Sequence, residues 1–92
     1  MAINCYVTFP TTFYAIRAES LLKKKEVAFR MVPVPRAISS SCGTALRCDC
    51  SDLLPIRRYL TEHNTEMESF YQLEEDGFKM PSVKELNPDE LQ

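Results

Sequence analysis

Cys42 lies in the run Val32-Pro33-Val34-Pro35-Arg36-Ala37-Ile38-Ser39-Ser40-Ser41-Cys42-Gly43, whose residue types allow sulfur chemistry. Proline fixes φ and lacks a backbone donor, so Pro33 and Pro35 hold the approach extended. Gly43 lets the chain turn sharply and come close to whatever meets the thiol. Ser39, Ser40 and Ser41 bring short hydroxyls and unencumbered N–H groups that can bond an anion or a thiolate. A structural cysteine more often sits in an apolar run, so these residues display Cys42. A thiolate attacks sulfur electrophiles, and an accessible cysteine can accept a sulfane sulfur as a persulfide. The same residues also allow a plainer reading, a surface cysteine in a loop closed by Gly43.

The other three cysteines are Cys5, Cys48 and Cys50. Cys5 reads as core. In Cys48-Asp49-Cys50 the two side chains share one face of a strand. A tetrahedral metal site would have to recruit Cys5 and His63, and the spacing of structural zinc ligands is absent. No metal site is expected. Cys48 is read as a small core residue and Cys50 as a strand-end thiol. Cys50 acting as a resolving thiol for Cys42 would have to bridge the length of a strand. His63 sits in the polar stretch Glu62-His63-Asn64 and reads as an exposed helix end. No carboxylate pair, serine triad, phosphate loop or nucleotide signature is present, so no cofactor is expected.

These residues need a scaffold, and the hydrophobic pattern supplies one. Ile3, Cys5, Val7 and Phe9 alternate with polar residues as in a half-buried strand, which Pro10 ends. Thr11 or Thr12 can cap a helix carrying the stripe Ala15, Ala18, Leu21 and Leu22. Lys23, Lys24 and Lys25 suit its C-terminal dipole. Val27, Phe29 and Met31 mark a second strand running to about Val34, and Thr44 to about Cys50 a third. Ser51 can cap a second helix with Pro55 in its first turn and Leu53, Ile56 and Leu60 as its buried stripe. Met67 to Leu73 reads as a fourth strand.

The order β-α-β-β-α-β predicts an α+β, ferredoxin-like fold: a four-stranded antiparallel sheet with both helices on one face. Residues 1–73 form this domain. Residues 74–92 carry six acidic and two basic residues and are expected to be a loosely ordered acidic tail, with a short helix near Val83 to Leu86. Tyr6 and Phe70 are expected on the open sheet face, where dimer packing explains them better than RNA stacking.

That topology puts the loop between strands two and three at the same end of the sheet as the start of the first helix. Cys42 is therefore expected near Pro10-Thr11-Thr12 and the helix N–H groups. Such a setting can bring a thiol from about 8.5 toward neutral pH, with Arg36, Arg47 or Arg17 adding to the effect. The net charge of −2 gives no reason to expect nucleic acid or an anionic membrane as a partner. No apolar run approaches the roughly 20 residues of a membrane span, and no secretory signal is seen. A cytoplasmic protein with reduced thiols is expected.

The chain resembles the selenium/sulfur carrier-like family of small bacterial proteins. The likeness lies in Phe9-Pro10-Thr11-Thr12 with Ala15, Ala18-Glu19 and Leu22, in Val32-Pro33-Val34-Pro35-Arg36, and in Ser39-Ser40-Ser41-Cys42-Gly43 with Ala45-Leu46-Arg47. With Tyr71-Gln72-Leu73 it covers about residues 3–73. The resemblance implies a carrier without cofactor or net catalysis of its own. Cys42 would take sulfur or selenium from a donor enzyme and pass it to an acceptor protein. Arg36, Ser41, Gly43, Arg47, Thr11 and Thr12 would stabilise the thiolate or the terminal anion. The alternative is a ferredoxin-like module that senses a small molecule or forms a homodimer through its open sheet, its cysteine loop purely structural. Thiol–disulfide exchange is a third reading, requiring Cys42 to reach Cys48 or Cys50.

Overall fold

Alternation from Ile3 to Phe9 produces the strand at the centre of the sheet. A computed structural model describes residues 2–75 and 82–87 of the chain. Its elements are β1 (Ala2–Thr8), α1 (Thr12–Lys25), β2 (Arg30–Pro33), β3 (Thr44–Cys48), α2 (Cys50–Glu62), β4 (Ser69–Glu75) and β5 (Ser82–Leu86). The protein is α+β, with two helices and a five-stranded antiparallel sheet in the order β2-β3-β1-β4-β5. β1 is central. Four strands were expected, and the fifth lies in the segment read as a tail: Leu73 pairs with Val83 and Phe70 with Leu86. The short helix anticipated at Val83 to Leu86 is this strand. Glu74 and Glu75, also read as tail, end β4 and Asn87 follows β5; residues 76–81 and 88–92 lie outside the described ones.

Register decides which side chains meet. Cys5 faces Cys48, and Val7 faces Leu46 on one side and Phe70 on the other. With Phe9 they form the sheet face that packs on Ala15, Ala18 and Leu22 of α1 and on Leu53, Ile56 and Leu60 of α2. Each fully buried aliphatic side chain there contributes about 1.5–3 kcal/mol.

The opposite face is not bare. Tyr6, Ala45 and Leu73 lie beneath Ile38, which folds back from the β2–β3 loop and is itself buried. Val32, Val34, Tyr71 and Val83 flank this second cluster. Tyr6 therefore does not present an open aromatic surface, and Phe70 lies on the helix side. Burial, aided by Glu75, raises the Tyr6 hydroxyl above its usual value, while Arg47 opposes the shift.

Helix ends depart from the expected capping. Thr11 occupies the N-cap of α1 in extended conformation but makes no side-chain cap bond. In α2 the N-cap is Asp49 rather than Ser51, again without a side-chain bond. Pro55 thus falls inside the helix, where its missing N–H leaves the Ser51 carbonyl without its helical partner. Among the described residues no helix is long and apolar enough to cross a membrane.

Glu26, at the C-cap of α1, has φ 59°, a left-handed conformation that glycine adopts at little cost. Glu26→Gly is expected to raise stability by roughly 0.5–1 kcal/mol. Urea unfolding followed by circular dichroism checks this.

Candidate functional site

The loop from Val34 to Gly43 carries Cys42 and is held at several points. At its base the Val34 N–H donates to the Gly43 carbonyl at 3.0 Å, and the Ile38 N–H closes a turn on Pro35 at 3.0 Å. Gly43 has φ 76°, so the backbone needs a residue without a Cβ there. Ile38 anchors the loop on one sheet face, and Cys42 packs against the core on the other.

Around Cys42 the chemistry is local. Its N–H donates to Ser40 Oγ at 3.3 Å, and the Ser40 hydroxyl lies 3.8 Å from its sulfur. The thiol donates to the Thr44 carbonyl at 3.1 Å. Cys42 is half-buried rather than fully displayed.

The next residue back is clamped by a group that sequence reasoning missed. Ser41 donates its N–H to Glu68 Oε1 at 3.2 Å and its hydroxyl to Glu68 Oε2. Glu68 is fixed in turn by its own N–H, which donates to the Thr8 carbonyl at 2.7 Å. The Ser41 hydroxyl, then the Ser41 N–H, hold the Glu68 carboxyl below its usual range; burial opposes them, and Thr8 adds a smaller lowering. Ser39, Ser40, Ser41, Glu68, Ser69 and Tyr71 line a shallow cavity of about 450 Å³ beside this clamp. In the sequence Glu68 is one of two acids just before a strand, 27 residues from its partner.

The other expected site residues make no hydrogen bond to the thiol. Arg36 is exposed in the turn after Pro35. Arg47 lies opposite Tyr6 in register, on the face away from the helices, where its charge favours the Tyr6 phenolate. Thr11 and Thr12 are exposed at the start of α1. Arg17 donates to the His63 carbonyl at 2.8 Å, at the far end of α2. The structure brings Ser41, Cys42 and Gly43 together. None of Arg36, Arg47, Thr11 and Thr12 is a hydrogen-bonding partner of Cys42.

The remaining cysteines overturn the expectation of four reduced thiols. Cys5 and Cys50 form a disulfide, their Cα atoms 4.9 Å apart. Cys48 is free and buried. Burial pushes its thiol up to about 12, with Asp52 and then Asp49 adding to the effect. His63 Nδ1 lies 2.8 Å from the Tyr59 carbonyl. Among the described residues no three His, Cys, Asp or Glu side chains are grouped to hold a metal ion.

Two outcomes follow from this geometry. The Glu68 clamp acts fully above about 4.5, the ordinary carboxyl value, and is lost as the pH falls through the lower folded value. Protection of the Ser41 amide should therefore fall as the pH drops below that ordinary value, whereas Glu68→Gln should accelerate its exchange severalfold at neutral pH. Secondly, iodoacetamide at pH 8 should label Cys42 and leave Cys48 unmodified in the folded chain, because little of a thiol shifted to about 12 is thiolate there. Peptide mass mapping reads this result.

No curated protein and no solved structure matches the chain. The family model described as "Putative Se/S carrier protein-like" matches residues 4–72, which include the central strand, both helices, the cysteine loop and the clamp. The chain belongs to the Se/S carrier protein-like family.

Proposed function

We propose that this protein carries sulfur or selenium on Cys42 between a donor enzyme and an acceptor protein. One observation supports the reading beyond the family: of the four cysteines, only Cys42 is both free and accessible. Cys5 and Cys50 are bonded to each other, and Cys48 is buried. In this reading β2, β3, β1 and β4 with the two helices are a ferredoxin-like unit, extended at one edge by β5.

Loading begins when the Cys42 thiol leaves the Thr44 carbonyl and gives its proton to solvent. The thiolate attacks the terminal sulfur of a donor persulfide. A bond forms between Cys42 Sγ and that sulfur, the donor's S–S bond breaks, and the donor leaves as a thiolate. The product is a Cys42 persulfide. A selenopersulfide donor reacts in the same way at its terminal selenium. Unloading is the mirror step, in which an acceptor nucleophile takes the terminal atom and Cys42 returns as a thiolate. No net oxidation occurs and no cofactor is needed. Ser40, whose hydroxyl lies near the sulfur, is the nearest donor to the terminal anion, and Arg36 is the exposed cation on the same loop.

The sensing or dimerisation reading draws less support, because Ile38 and its neighbours cover the face it would use. Exchange between Cys42 and Cys50 fares no better: Cys50 is bonded to Cys5, and β3 separates it from the cysteine loop.

Incubation with a small-molecule persulfide donor, followed by mass mapping, tests the carrier. One added sulfur on the Cys42 peptide is expected, along with its discharge to a thiol acceptor. Cys42→Ser should abolish both, and Cys48→Ser should preserve both. Loading at Cys48, or undiminished loading in Cys42→Ser, overturns the assignment.

A further inference from the structure

Three of the four cysteines meet at the end of the sheet away from the Cys42 loop. Cys5 and Cys48 oppose each other across β1 and β3 on the helix-facing side. Cys50 follows two residues later as the first residue of α2 and is bonded to Cys5. Access to these sulfurs is unequal. Cys5 is 1% exposed and Cys48 4%, whereas Cys50 is only half-buried. Of the two bonded residues, only Cys50 is appreciably exposed to solvent.

We propose that Cys5–Cys50 is a redox-active disulfide that exchanges with small-molecule or protein thiols through Cys50. An incoming thiolate RS⁻ attacks Cys50 Sγ from the solvent side, in line with the existing bond. The new bond is RS–S(Cys50); the bond that breaks is Cys5–Cys50. The departing electron pair stays on the Cys5 sulfur, which takes up a proton and remains in the core. A second RS⁻ attacks the R sulfur of the mixed disulfide, R–S–S–R departs, and Cys50 is left as a thiolate that protonates from solvent. Two thiols lose two electrons and one disulfide gains them. Oxidised glutathione, or another disulfide oxidant, reverses the sequence.

Two features suit Cys50 to this role. It occupies the first helical position of α2, at the positive end of the helix dipole, where Asp49 supplies no side-chain cap and the Asp52 N–H donates back to the Asp49 carbonyl at 2.9 Å. Opening the bond also need not unfold the protein, because Leu53, Ile56 and Leu60 still seat α2 on the sheet. Cys48, buried and strongly shifted, stays a bystander and does not compete for Cys5.

The proposal does not depend on the carrier reading, and the test removes Cys42 to keep the two separate. Cys42→Ser protein is first treated with oxidised glutathione, then incubated folded with reduced glutathione, quenched in acid and mapped by mass spectrometry. Expected are a Cys5–Cys50 bridge after oxidation, then a glutathione adduct at Cys50 and complete loss of the bridge with rising thiol concentration. Cys48 should stay unmodified and the circular dichroism spectrum unchanged. Adding Cys5→Ser should leave Cys50 free to take one glutathione from the oxidised form in the folded state. The proposal is overturned if no bridge forms, if the bridge yields only in urea, or if the adduct appears on Cys5 or Cys48. It also fails if Cys50 of the Cys5→Ser variant stays unreactive while the protein is folded. Persulfide loading of the unsubstituted chain at Cys42 is a separate readout, so either idea can fail alone.

Discussion

The central strand β1 is the constraint on which the rest of this structure depends. It is paired on both edges, so its alternation fixes the register of β3 and β4 at once. A slip of one residue would turn Cys5, Val7 and Phe9 away from the helices and bring Tyr6 and Thr8 into the core. Both centres of interest also begin on it. Its Cys5 end holds the disulfide to α2, and its Thr8 end receives the Glu68 N–H that sets the clamp on Ser41. Across the few residues between them, at about 3.3 Å per residue, one strand spaces two sulfur sites apart.

That separation assigns different work to cysteines of the same chain. At one end a thiol sits in a polar loop with a hydroxyl and a carbonyl as partners. At the other, a bonded pair joins a deeply buried position to a helix start, and a third thiol beside it is silenced by burial. Closing a loop of 45 residues, the bond contributes on the order of 2–4 kcal/mol, a large share of the stability of so small a domain.

Patterns that repeat within one element were legible in the sequence. The alternation around Val7, the stripe through Ala15, Ala18 and Leu22, and the display loop ending in Cys42-Gly43 all appear where they were expected, with boundaries moved by one to three residues. Features that depend on two distant segments were not. The Cys5–Cys50 bond needs β3 to end at Cys48 and α2 to begin at Cys50, which no local pattern states. Glu68 reads as one acid among several until Ser41 is brought against it. β5 was missed because Ser-Val-Lys-Glu-Leu offers only two apolar residues and forms by pairing with β4. The helix caps failed in the other direction: Thr11 is in place, but its side chain makes no cap bond.

The loop from Val34 to Gly43 straddles the rim of the sheet, with Ile38 seated under one face and Cys42 against the other. Its base, its turn and the Ser41 carboxylate bond tie down the segments between. A loop fastened in this way has little conformational entropy left to lose. A protein that docks over Cys42 meets a preorganised surface, and its contacts need not offset the cost of ordering one. Under the proposed carrier role, brief encounters over a small area can then be specific and still dissociate quickly.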